Sequence, residues 1–102
     1  ITLVKRDGRK SVFDREKLER SFDIALRKRD VDAEAVGMAI NDIVRQLESY
    51  ADGDVPSERV GELVMAALYK LDQVAYVRYA SVYRNFREAK DFEAFVEKEL
   101  GE

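Results

Sequence analysis

The chain has 102 residues, 46% of them apolar and 38% charged, with a formal net charge of −3. That length and apolar content suit one domain that buries its own core. The lack of Cys and His excludes disulfides, thiol nucleophiles, Cys/His zinc sites and His-based triads, and no apolar run reaches the roughly 18 residues that a membrane helix needs.

No signal peptide is expected, because the charged run from Lys5 to Lys10 comes too early and no apolar segment follows it. A cytoplasmic location without a membrane partner fits these features. The chain opens on Ile1, so it is expected to be cut from something longer. Charge is uneven along it: residues 1–30 hold ten cations against six carboxylates, and the remainder is acidic. A basic first third on an acidic body points to a local anion site more than to a protein that coats DNA.

Thr2 to Arg6 reads as a strand, led by Thr2, Leu3 and Val4. Asp7-Gly8 predicts a two-residue hairpin turn, and Lys10 to Phe13 the returning strand. Asp14 caps a helix over 15–29, carried by Leu18, Phe22, Ala25 and Leu26 at helical spacing. Asp30 or Asp32 caps a second helix over 33–51, striped by Val36, Ile40, Ile43, Leu47 and Tyr50, and Asp52-Gly53 ends it. Val55 suggests a short third strand, and Pro56 leads into a third helix with Val60, Leu63, Val64, Ala67, Leu68 and Leu71 facing inward. Asp72 caps a fourth helix carrying Ala75, Tyr79, Val82 and Phe86. A last helix follows Asp91, with Phe92, Phe95, Val96 and Leu100 on one side. The expected fold class is α+β, mostly α: a bundle of four to five helices covered by a small two- to three-stranded β-sheet.

The informative residues strain against local rules. A two-residue turn would set Arg6 opposite Arg9 and Lys5 opposite Lys10, and like charges directly opposite are destabilising. A bound anion would relieve that repulsion; a solvated hairpin tip with splayed side chains is the other reading. Lys17 falls near the third position of the first helix, where a capping box would place Glu and the dipole favours anions. A bound phosphate turns that cation into an asset, whereas an ordinary exposed Lys needs no ligand. In a flat strand Lys5 and Arg6 point to opposite faces, so both grip one ligand only if the strand twists or they divide the work. Tyr76, Tyr79 and Tyr83 form one stripe on the fourth helix, flanked by Arg78 and Arg84. At least one of Tyr76 and Tyr83 is expected near a ligand, with core packing as the alternative. Neither a P-loop nor a dinucleotide fingerprint occurs, and no catalytic constellation stands out, so the chain does not read as an enzyme.

The segment Leu3-Val4-Lys5-Arg6-Asp7-Gly8, followed by Phe13 and by Lys17-Leu18, resembles the opening motif of the ATP-cone domain. That regulatory ATP/dATP-binding module stands at the front of ribonucleotide reductase large subunits and occurs in the bacterial transcriptional repressor of ribonucleotide reductase genes. The stretches Val55-Pro56-Ser57, Gly61 to Met65, Leu71-Asp72 and Val74 to Arg84 look more like the repressor than the reductase. The resemblance covers nearly the whole chain and implies one ATP-cone regulatory domain over residues 1–102. It implies that the nucleotide lies between sheet and bundle. Leu3 would touch the base edge through its backbone, Lys5 and Arg6 would hold phosphates, and Lys17 would reach phosphate or ribose. Tyr76 and Tyr83 are carried over from the repressor's fourth helix. Ser11 departs from the Glu that the family often has there. Pro56 and Val60 stand where reductase cones supply polar ribose contacts, so those contacts are expected to be absent or replaced.

The resemblance further implies ATP and dATP as ligands, Mg2+ accompanying them, and zinc only in an N-terminal ribbon absent from this chain. Operator DNA would be bound through that ribbon alone, and the cone would form a homo-oligomer. The apolar face of the last helix, Phe92, Phe95 and Val96, is a candidate contact for it, with docking onto the chain's own core as the other reading. Two alternatives stay open: the allosteric cone of a reductase large subunit, and a helical interaction module that docks an acidic partner on its basic hairpin.

Overall fold

The computed structural model describes residues 1–50 and 52–101. Strands β1 (Thr2–Val4) and β2 (Lys10–Val12) open the chain, followed by helices α1 (Arg15–Ala25) and α2 (Ala33–Glu48). Strand β3 (Asp54–Pro56) then leads into α3 (Ser57–Leu71), α4 (Gln73–Tyr83) and α5 (Ala89–Leu100). The sheet order is β2-β1-β3, with β1 antiparallel to β2 and parallel to β3. The α+β, mostly helical expectation therefore holds.

Burial alternates along β3: Asp54 and Pro56 are exposed, whereas Val55 is fully buried. Its neighbour in register, Leu3, packs against the same core. Lys10 and Asp54 pair at 3.4 Å across the sheet. Pro56 lacks an N–H to donate, which an edge strand tolerates. Beneath the sheet, α3 packs against α2 and α4, and α1 against the same two helices. Phe22, Leu47, Val55, Val64 and Leu68 are its most completely buried large side chains. Each contributes about 1.5–3 kcal/mol of hydrophobic stabilisation.

The hairpin differs from expectation by one residue. Lys5 N–H donates to the Arg9 carbonyl at 2.8 Å, and Val4 pairs with Lys10. Lys5 is thus opposite Arg9, and Arg6-Asp7-Gly8 form a three-residue turn in place of a two-residue one. Gly8 explains the choice: it sits at φ 87° at the third turn position, where a longer hairpin loop needs a left-handed residue.

Helix α1 ends at Ala25 rather than at residue 29. The Arg78 guanidinium donates to the carbonyls of Ala25 (3.2 Å) and Arg27 (2.6 Å), satisfying groups that a longer helix would have paired internally. Lys28 then turns the chain at φ 64°, and Arg29 reaches both carboxylate oxygens of Asp72 at 3.0 Å. For α2, Asp32 is the cap, accepting from Glu34 N–H. The helix stops at Glu48; its expected last residue, Ala51, lies outside the described residues. Gly53, at φ 72°, shapes the entry to β3 instead of ending α2, and its carbonyl accepts from Thr2 N–H at 2.7 Å.

Asp72 caps α4 as expected, accepting from Ala75 N–H at 2.9 Å. The inward face of α4 is the expected one in part. Ala75 is buried, and Tyr79 and Phe86, the latter beyond the helix, pack against the core, whereas Val82 is 82% exposed and Tyr76 and Ala80 join the buried set. The helix packs against α1, α3 and α5, and apolar residues stand on most of its sides, so periodicity selects no single face. Helix α5 begins at Ala89, ahead of Asp91, whose carboxylate accepts from the N–H groups of Arg87 (2.9 Å) and Glu88 (3.0 Å). Phe95 is buried between Tyr76 and Phe86, each at 5.3 Å between ring centroids, with the Arg84 guanidinium 5.5 Å from its own. It is therefore part of the chain's own core. Only Phe92 and Val96, each 41% exposed, remain on the surface of the candidate oligomer face.

Candidate functional site

The hairpin turn, the start of α3 and the end of α4 border an open cleft of about 580 Å³ lined by Lys5, Arg6, Asp7, Arg9, Ser57, Glu58 and Tyr83. Three cations face two carboxylates there, and the partners are specific. Asp7 accepts from the backbone N–H of Arg9 at 3.0 Å and from its Nε at 2.6 Å, which holds the Asp7 carboxyl below its usual pKa. Arg6 Nε donates to Glu58 Oε1. That bond lowers the Glu58 carboxyl pKa and raises that of the Arg6 guanidinium. Lys5 has no carboxylate within ion-pair distance among the described residues.

The one-residue change in the turn resolves the geometric difficulty with Lys5 and Arg6. Arg6 is a turn residue, no longer the next position of a flat strand, so alternation does not separate the two. Both line the same cleft. The wall opposite is the first turn of α3. Pro56 occupies the cap position and offers no side-chain acceptor, so the first backbone N–H groups of α3 have no side-chain cap. An uncapped helix start beside two cations is suited to oxyanions.

Tyr83 closes the third side. Its hydroxyl donates to the Glu58 carbonyl at 3.2 Å, and its ring stacks on Tyr79 with centroids 5.9 Å apart. Gly61 makes that placement possible, because a Cβ there would overlap the Tyr83 ring atoms Cε1 and Cζ. Burial raises the Tyr79 hydroxyl pKa, with the neighbouring Tyr83 adding to it.

The other expected residues lie elsewhere. Leu3 sits in the middle of β1, packed on the core. Lys17 is exposed at the third position of α1, behind the Asp14 cap, and does not line the cleft. Tyr76 is buried, edge-on to Tyr69 at 5.2 Å and tilted against Phe95, and burial raises its hydroxyl pKa. It lines a separate groove with Tyr69, Lys70, Arg84 and Glu99, which Tyr83 also borders. Sequence reasoning missed Ser57, Glu58 and Gly61. An acidic residue in a first helical turn is ordinary, so nothing local marks Glu58. Gly61 did carry a signal: a glycine inside a helical pattern costs about 1 kcal/mol and implies close packing.

Residues 1–89 match the family described as the ATP cone domain. The chain belongs to the ATP-cone family. Among curated proteins, it is 59% identical over 102 residues to the transcriptional repressor NrdR of Chelativorans sp. (strain BNC1), covering all of this chain and 66% of that protein. It is 62% identical over 96 residues to the NrdR of Caulobacter sp. (strain K31), covering 94% and 61%. For the NrdR of Rhodospirillum rubrum the identity is 60% over 97 residues, covering 95% and 64%. The chain thus spans 61 to 66% of the length of these relatives. The family match ends where α5 begins.

Proposed function

We propose that this chain is the adenine-nucleotide sensor of a transcriptional repressor of ribonucleotide reductase genes, and that it is not itself an enzyme. The single observation that carries the reading is the cleft that gathers Lys5, Arg6, the uncapped start of α3 and Tyr83 in a member of the ATP-cone family. ATP and dATP are the ligands. Lys5 and Arg6 hold the phosphate chain through charge-assisted hydrogen bonds, and the N–H groups of α3 take further phosphate oxygens. Leu3, Lys17 and Tyr76 join the site where the nucleotide extends past the cleft towards the sheet's inner face and the bundle. Mg2+ arrives with the triphosphate.

All 102 residues form the regulatory domain, α5 included. Its nucleotide state sets how copies of it assemble, since a ligand shifts an equilibrium only by binding its states unequally. Zinc and operator DNA are handled by a ribbon outside this sequence, which holds no Cys or His. The protein works in the cytoplasm, as regulation of bacterial genes requires.

Calorimetric titration with ATP and dATP, paired with the mass of the chain in solution, tests the reading. Both nucleotides bind saturably, and the two produce different assemblies. Lys5→Ala and Arg6→Ala each weaken both ligands, by about tenfold or more for a lost hydrogen bond between charged groups. The absence of saturable binding refutes the proposal; binding with one unchanged mass refutes the assembly switch.

A further inference from the structure

We infer that Glu58 is a resident competitor for the phosphate chain: its carboxylate occupies the Arg6 guanidinium until a nucleotide displaces it, and so sets how tightly the cleft holds a polyphosphate. The inference deepens the proposed function and rests on nucleotide binding in this cleft.

The three cleft cations are in different states. Arg9 is tied within its own turn by Asp7, and Lys5 has no carboxylate partner among the described residues. Arg6 alone of the three is engaged from a distant part of the chain, by a carboxylate 52 residues away. The Arg6 side chain is 86% exposed, so packing does little to hold it and the ion pair decides where it points. Glu58 lies in the first turn of α3 and lines the cleft. Its negative charge therefore already satisfies both features that would attract a phosphate there, a guanidinium and the positive end of a helix dipole. The turn that carries it is held in place: Tyr83 hydrogen-bonds the Glu58 carbonyl, and Gly61 admits the Tyr83 ring.

A ligand that uses Arg6 must first part it from Glu58, so its apparent affinity falls by the fraction of molecules in which Arg6 is engaged. Exposed ion pairs are modest, and the expected penalty is about two- to fivefold in affinity. A ligand that never reaches Arg6 escapes it.

Calorimetric titration of the 102-residue chain with ATP tests the inference through a double-mutant cycle. Glu58→Gln keeps the shape of the side chain and removes the charge, and ATP then binds about two- to fivefold tighter. Glu62→Gln removes the same charge one turn along α3, where Glu62 pairs with Arg59 at 3.4 Å, and gives a smaller change. In the Arg6→Ala background, Glu58→Gln gives a smaller gain, because only its charge at the start of α3 remains to be removed. Equal or weaker binding by Glu58→Gln overturns the inference, as does the same gain without Arg6 or an equal gain from Glu62→Gln. Absence of ATP binding by the unaltered chain overturns the functional reading and this inference with it; the other negative outcomes overturn this inference alone.

Discussion

Gly61→Ala separates the role of Tyr83 from the stability of α3. In an open helix this change stabilises by about 1 kcal/mol, because alanine is the better helix former. Gly61 is not in the open: an added Cβ would overlap the Tyr83 ring, which must then swing away. Displacement loses the hydroxyl bond to the Glu58 carbonyl and the stacking on Tyr79. Each is worth about 0.5–1.5 kcal/mol. The losses together come to about 2 kcal/mol, so the variant is destabilised by about 1 kcal/mol, or about 4–8 °C in melting temperature for a domain of this size. The cleft also loses one of its walls, and ATP affinity falls along with that of Tyr83→Ala. Thermal melts followed by circular dichroism and titration with ATP measure both effects on the same samples. A variant that melts higher than the unaltered chain and binds ATP unchanged would refute the close approach of Gly61 and Tyr83.

Two further outcomes concern the frame that holds the cleft. Phe22→Ala empties a fully buried site on α1 and costs about 3–5 kcal/mol, measurable by urea unfolding; a loss under 1 kcal/mol would remove Phe22 from the core. Asp72→Ala removes both the α4 cap and the Arg29 partner, at about 1–2 kcal/mol near pH 7. Burial pushes the Asp72 carboxyl pKa up, but the Ala75 amide and Arg29 outweigh it, and the net position is below the usual value. Its contribution is therefore complete above the unfolded value of about 4 and is lost as pH falls through the lower folded one. The gap between variant and unaltered chain narrows in acid; an equal gap at pH 7 and pH 3 contradicts this assignment.

Much of this protein could be read from neighbouring residues alone. Asp14 and Asp72 mark two helix starts and the pair Asp30 and Asp32 a third, of which Asp32 is the cap, because a cap and the N–H it accepts from are two or three positions apart. Spacing placed Leu18, Phe22, Ile40, Ile43, Leu47, Leu63, Val64 and Leu68 in the core, where burial confirms them. Val55 was legible as a strand between two turn signals, and the cations of the hairpin stood out by their crowding. These features are local, so short-range geometry and hydrophobic period suffice for them.

Other features depend on groups remote in the chain. Arg78 reaches the end of α1 from 51 to 53 residues away, and Arg6 meets Glu58 across 52. The inward face of α4 was decided by three packed neighbours, and Phe95 by the rings of Tyr76 and Phe86. The hairpin lies between the two cases: Gly8 was recognised as its turn glycine, but whether one or two residues precede it in the loop is settled by which strand residues pair. Composition and spacing thus determined the elements and the basic character of the hairpin, because a helix cap or an amphipathic stripe needs no distant partner. Tertiary structure alone decided which carboxylate faces Arg6, which tyrosine enters the cleft and which apolar side chains remain uncovered. Such pairings depend on how the chain closes on itself, and no short stretch of sequence contains both partners.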